Sequence, residues 1–266
     1  MKRGSHHLSR HLATSLIAIL FGSAVALNAT AAEAFRIQTK IYVGDEKEPA
    51  SKTTTMFQNG IVYDFLEEPE QTAVFRKPNG DRPGRFILLN DKERVQTEIS
   101  TEQLSTAMQN LTHWAAQQKN PFLQFSANPK FDETFDRNTG NLVLKHDLET
   151  YTVETTPVSL HQDALVDFRE FLDWYTQLNT LLTAGNPPNP RLKLNDALAR
   201  RKVIATKVEL KRGGEDPIRA EHEFTWRLSQ DDLQRIEAVQ EGLTAYRQVN
   251  NQEFQQLAQP VATKKK

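Results

Sequence analysis

A chain of 266 residues with 38% apolar and 25% charged side chains has room for one large domain or two small ones, and that balance excludes a multi-span membrane protein. Its 14 Phe, 5 Tyr and 3 Trp exclude a wholly disordered polypeptide, because they offer enough apolar surface to offset chain entropy. Lys plus Arg number 33 against 34 Asp plus Glu, which gives no basis for nucleic-acid binding, and the absence of Cys removes disulfides, thiolate metal sites and a Cys nucleophile.

Residues 1–31 read as a secretory signal peptide. Lys2, Arg3 and Arg10 supply the positive start, Leu12 to Leu27 an apolar stretch of 16 residues, and Ala29-Thr30-Ala31 the small residues a signal peptidase requires. Cleavage is expected before Ala32, with Glu33 and Phe35 as alternative starts. The stretch is shorter than the roughly 20 residues of a membrane span, so the rival reading, an uncleaved anchor, is disfavoured. The expected compartment is periplasmic or extracellular, with no stable membrane span.

Phe35, Ile37, Thr39, Ile41 and Val43 alternate with Arg36, Gln38, Lys40 and Tyr42, the period of a half-buried strand. Asn59-Gly60 then joins residues 52–58 to 61–66 as a type I′ hairpin, which pairs Gln58 with Ile61 and Met56 with Tyr63. Met56, Ile61, Tyr63 and Phe65 are its expected inner face. Thr72 to Arg76, Arg85 to Asn90 and Arg94 to Ile99 are further strands. The period then becomes helical: Ser100 and Gln103 form a capping box ahead of the stripe Leu104, Ala107, Met108, Leu111, Trp114 and Ala115.

Residues 122–125, 131–136, 142–146 and 149–155 read as strands, with a turn at Asn138 to Asn141. A second helix runs from about Leu160 to Leu182, with the apolar stripe Leu160, Ala164, Leu165, Phe168, Phe171, Leu172, Tyr175, Leu178 and Leu182. Residues 185–190, rich in Pro, form a stiff linker, and a short helical piece lies near residues 196–200. Residues 203–211 and 219–228 form a last hairpin, whose Ala220, His222, Phe224, Trp226 and Leu228 face inward. Ser229 and Asp232 cap a terminal helix. The expected organisation is one α+β domain over residues 32–250, followed by a disordered polar and basic tail over 251–266. About eleven strands in hairpin order, without strand-helix-strand alternation, predict a curved antiparallel sheet with helices packed on one face.

The candidate chemistry is sparse. His222 lies between Glu221 and Glu223, but strand neighbours point to opposite faces, so it reads as a core or ligand-facing histidine and not a metal ligand. Asp136 to Asn141 resembles half of a calcium loop in the wrong register and reads as a turn. Asp163, Asp167 and Glu170 line one edge of a helix and read as a solvated face. Neither a nucleophile elbow nor a phosphate-binding glycine loop occurs. The chain is read as non-catalytic, with no cofactor and no metal.

The order of elements is similar to that of the outer-membrane lipoprotein-carrier-like superfamily, the LolA/LolB-like half-barrel fold. The likeness is carried by the N-terminal strand, the hairpin Gln58-Asn59-Gly60-Ile61-Val62-Tyr63-Asp64, and Ile87-Leu88-Leu89-Asn90 followed by the strand 94–99 and a capped helix, and it covers roughly residues 35–228. It implies an unclosed antiparallel barrel with helices across its mouth that holds acyl chains inside. An apolar or lipid-like small molecule is therefore the expected partner. Its expected lining is Met56, Tyr63, Phe65, Phe86, Leu88, Phe224 and Trp226, from the apolar faces of strands taken to be neighbours. The alternatives are a structural protein with a packed core and an envelope protein as partner, and a hydrolase with an unmarked active site.

Overall fold

The structure, a computed structural model, describes residues 34–68, 70–159 and 161–258. The expected signal peptide and residues 259–266 of the expected tail lie outside the described residues. In chain order the elements are β1 (Phe35–Val43), β2 (Ser51–Gln58), β3 (Ile61–Leu66), β4 (Gln71–Arg76), β5 (Arg85–Asn90), β6 (Val95–Ser100), α1 (Thr101–Ala116) and α2 (Pro121–Ala127). There follow β7 (Asp132–Phe135), β8 (Asn141–Lys145), β9 (Glu149–Pro157), α3 (Gln162–Thr183), α4 (Asn189–Arg201), β10 (Val203–Arg212), β11 (Ile218–Thr225), α5 (Gln230–Ala245), β12 (Arg247–Gln248) and α6 (Asn251–Ala258).

All twelve strands of the described residues join one unclosed sheet in the order β12-β6-β5-β4-β3-β2-β1-β11-β10-β9-β8-β7. Every pairing is antiparallel except the two-residue β12, which runs parallel to β6. The α+β class and the half-barrel-like antiparallel sheet are as the sequence predicts. The Asn59-Gly60 turn has φ of 53° and 73°, as a type I′ turn requires, and it pairs Gln58 with Ile61 and Met56 with Tyr63. β1 lies between β2 and β11, so the sheet's two halves meet along the first strand of the described residues.

The sheet differs from expectation in how it is covered. Helices lie on both faces of β2–β6. On one face Phe57, Val62, Phe75, Phe86 and Leu88 pack against Leu104 of α1, Phe171 and Leu178 of α3 and Phe254 of α6. On the other, Met56, Tyr63, Phe65, Val74, Ile87 and Leu89 pack against Ile236 and Val239 of α5. A half-solvated sheet was expected from hairpin order, yet β5 is apolar at four successive positions, Phe86 to Leu89. Such a run belongs to a strand buried on both sides. The strands β8–β10 are packed mainly on one side, by Leu194, Ala197 and Leu198 of α4.

Three local expectations are corrected. Residues 122–125 form the helix α2, whose start Asn120 caps by accepting hydrogen bonds from the Phe122 and Leu123 N–H groups. The Pro-rich linker is the lead-in to α4, because Pro190 in the first turn surrenders an N–H that would have no helical partner. The tail is not disordered over 251–258: it forms α6, where Phe254 is buried and Asn251 accepts a 2.6 Å hydrogen bond from Thr97.

Candidate functional site

The seven residues expected to line a ligand site do not share one. Met56, Tyr63 and Phe65 lie under α5, whereas Phe86, Leu88, Phe224 and Trp226 lie on the opposite face. The first five are buried in close packing. Phe224 and Trp226 are half-buried and occupied with aromatic neighbours: Phe224 meets Phe168 edge-on at 5.5 Å, and Trp226 stacks on His161 at 4.0 Å. These residues hold the fold together.

An apolar cavity of about 220 Å³ lies elsewhere, between α3, α4 and the strands β10 and β11. From α3, Leu165, Phe168 and Leu172 recur at helical spacing and face it, while Ala164, Phe171 and Leu178 of the same helix enter the core. From α4 come Arg191, Asn195 and Leu198, again three and four residues apart. Lys202, at φ 55°, turns the chain sharply out of α4, so that Val203, Ile204 and Ala205 of β10 return beside that helix as a second wall. Val166, 65% exposed, also belongs to the lining and is the most exposed large apolar side chain among the described residues.

His222 contributes the cavity's imidazole. It pairs across strands with Thr39, and Thr39 Oγ1 and His222 Nδ1 share a 2.9 Å hydrogen bond. Burial pushes its pKa down to about 4, and the positive charge of Arg191 pushes the same way, so it is neutral at neutral pH. The expectation of a core or ligand-facing histidine describes its position. Asn195 is buried and donates to Asp173 at 2.9 Å, and burial raises the pKa of that carboxyl. Three cations, Arg169, Arg191 and Lys202, line the cavity, and no carboxylate does so among the described residues.

The other motifs resolve into structure. Asp136 accepts from the Asn138 N–H at 2.8 Å, and the Gly140 N–H returns to the Asp136 carbonyl at 2.8 Å. Both bonds close the β7–β8 turn, and the first, with hydrogen bonds from Thr139, holds the Asp136 carboxyl below its usual range. Asp167 accepts from Lys77 at 2.8 Å on the surface. Among the described residues no three His, Asp or Glu side chains are grouped to hold a metal ion, and no helix is long and apolar enough to cross a membrane.

Sequence reasoning found Leu165, Phe168 and Leu172 as helix stripe and His222 as a face residue. It missed Arg191, which directly follows the stretch 185–190 that reads as a linker. The one available signal was an apolar stripe on α3 wider than a single packing face needs. No protein-family model matches the chain, and no curated protein matches it significantly.

Proposed function

We propose that this protein binds a small apolar or lipid-like ligand non-covalently in the cavity between α3, α4 and β10, and that it does so as an exported protein. The observation that carries the reading is a partly open, largely apolar pocket of about 220 Å³ beside the buried core. An engineered apolar cavity of about 150 Å³ already takes up benzene, whereas typical small-molecule pockets span about 300–1,000 Å³. The volume therefore suits one ring or one medium-length alkyl chain and is too small to enclose a diacyl lipid. Export rests on the pattern of residues 1–31.

The cavity holds one imidazole and no acidic partner for it among the described residues, which favours binding over acid–base chemistry. Ala199 lies on the cavity wall and is half-buried, so Ala199→Phe fills the space from the α4 side. Octanol should bind the parent protein saturably and raise its Tm by mass action. Ala199→Phe should remain folded and lose that binding. Unsaturable octanol uptake by the parent, or equal binding by both proteins, would overturn the reading.

A further inference from the structure

Arg191 is held on the cavity wall against three physical penalties. Its side chain is half-buried and has lost part of its hydration. It makes no hydrogen bond and no ion pair within 4 Å with any described residue; the carboxylate that attracts it, Asp173, is occupied by Asn195 at 2.9 Å and Arg169 at 3.7 Å. It also sits in the first turn of α4, where the helix dipole disfavours a cation. The imidazole that shares the wall with it, His222, is neutral at neutral pH and supplies no counter-charge. Burial lowers the Arg191 pKa from its ordinary value, but a guanidinium remains charged.

Local rules broken together at one place on a cavity wall mark a site whose missing partner is a ligand. The partner that removes all three penalties is an anion. It would accept charge-assisted hydrogen bonds from the guanidinium and favour the positive end of α4. Of the wall's other ionic side chains, Arg169 is paired with Asp173 at 3.7 Å and Asp196 at 3.2 Å, and Lys202 adds a second cation of the same sign as Arg191. The rest of the wall is largely apolar, from Leu165, Leu172, Leu198 and Ile204.

Resting on the proposed binding function, we infer that the cavity selects a single-chain anionic amphiphile, a medium-chain carboxylate, whose head group is bound by Arg191 while its alkyl chain fills the space between α3, α4 and β10. Its chain is accommodated by the volume, and its charge is specified by one cation that no carboxylate of the described residues contacts within 4 Å.

The test is calorimetric titration of the full chain at neutral pH with octanoate, octanol and octylammonium, which share one chain and differ in head group. Octanoate should bind about tenfold or more tightly than octanol, and octylammonium should not compete. Arg191→Gln should bring octanoate down to the affinity of octanol and leave octanol unchanged, and Arg191→Lys should retain part of the preference. Octanoate binding no tighter than octanol in the parent would overturn the inference and leave the cavity reading intact. So would a preference for octanoate that survives Arg191→Gln. Saturable binding of none of the three would overturn both. The comparison in the parent protein holds whether or not the variants fold.

Discussion

His222 carries the clearest pH dependence in the molecule. Its folded-state pKa is lowered from the ordinary 6.5 to about 4. Between those values the unfolded chain binds a proton that the folded protein excludes. The stabilisation is therefore full above pH 6.5 and is lost as pH falls toward 4, by up to about 3 kcal/mol. Asp64 and Asp173 have raised pKa values and act in the opposite sense, but they are common to parent and variant and cancel in the difference. Chemical denaturation at pH 7 and pH 4 should show a smaller loss for His222→Gln than for the parent; equal losses would mean that His222 is solvated. At the Asn59-Gly60 turn, Gly60 has φ 73°, and only Lys77 Cε, at 3.6 Å, would meet an added Cβ. The conformation is what demands glycine there. Gly60→Val should cost about 1–3 kcal/mol, and an unchanged Tm would refute the strain. This turn was fully legible because its two residues encode their own φ. Arg191 was not, because nothing local marks a cation whose partner is missing.

At the scale of elements, what was legible followed from period and caps. The capping boxes at Ser100 and Ser229 are formed, the second with the Asp232 carboxylate returning to the Ser229 N–H at 2.8 Å. The three misread segments share one cause, which is that tertiary context decides short or polar stretches. The segment Phe122–Phe125 is apolar enough for a strand, yet its Asn120-Pro121 start and its packing make it helical. The polar segment 251–258 contributes little apolar surface beyond Phe254 and Leu257, but β12 pairing to β6 delivers it to the core. Since Phe254 is only 3% exposed, Phe254→Ala should cost about 3–5 kcal/mol in denaturant unfolding. A cost near zero would restore the view of a dispensable tail.

At the scale of the whole molecule, hairpin signals and the absence of parallel crossovers were enough to foresee an antiparallel unclosed sheet. They could not say which strands are sandwiched. That depended on where α5 returns, a long-range choice that alternation in β2 and β3 leaves open, because Met56 and Phe57 are both suited to burial. The consequence for function is direct: the expected lining became core on two faces, and the unfilled space moved to the half of the sheet where α3 and α4 meet over β10. The most direct measurement is an isotope-edited nuclear Overhauser experiment with octanol bound to the methyl-labelled protein. Contacts from the ligand chain to Leu165, Leu198 and Ile204, with none to Met56 or Leu88, are the predicted result. Contacts to Met56 or Leu88, or none to the cavity methyls at saturating octanol, would contradict it.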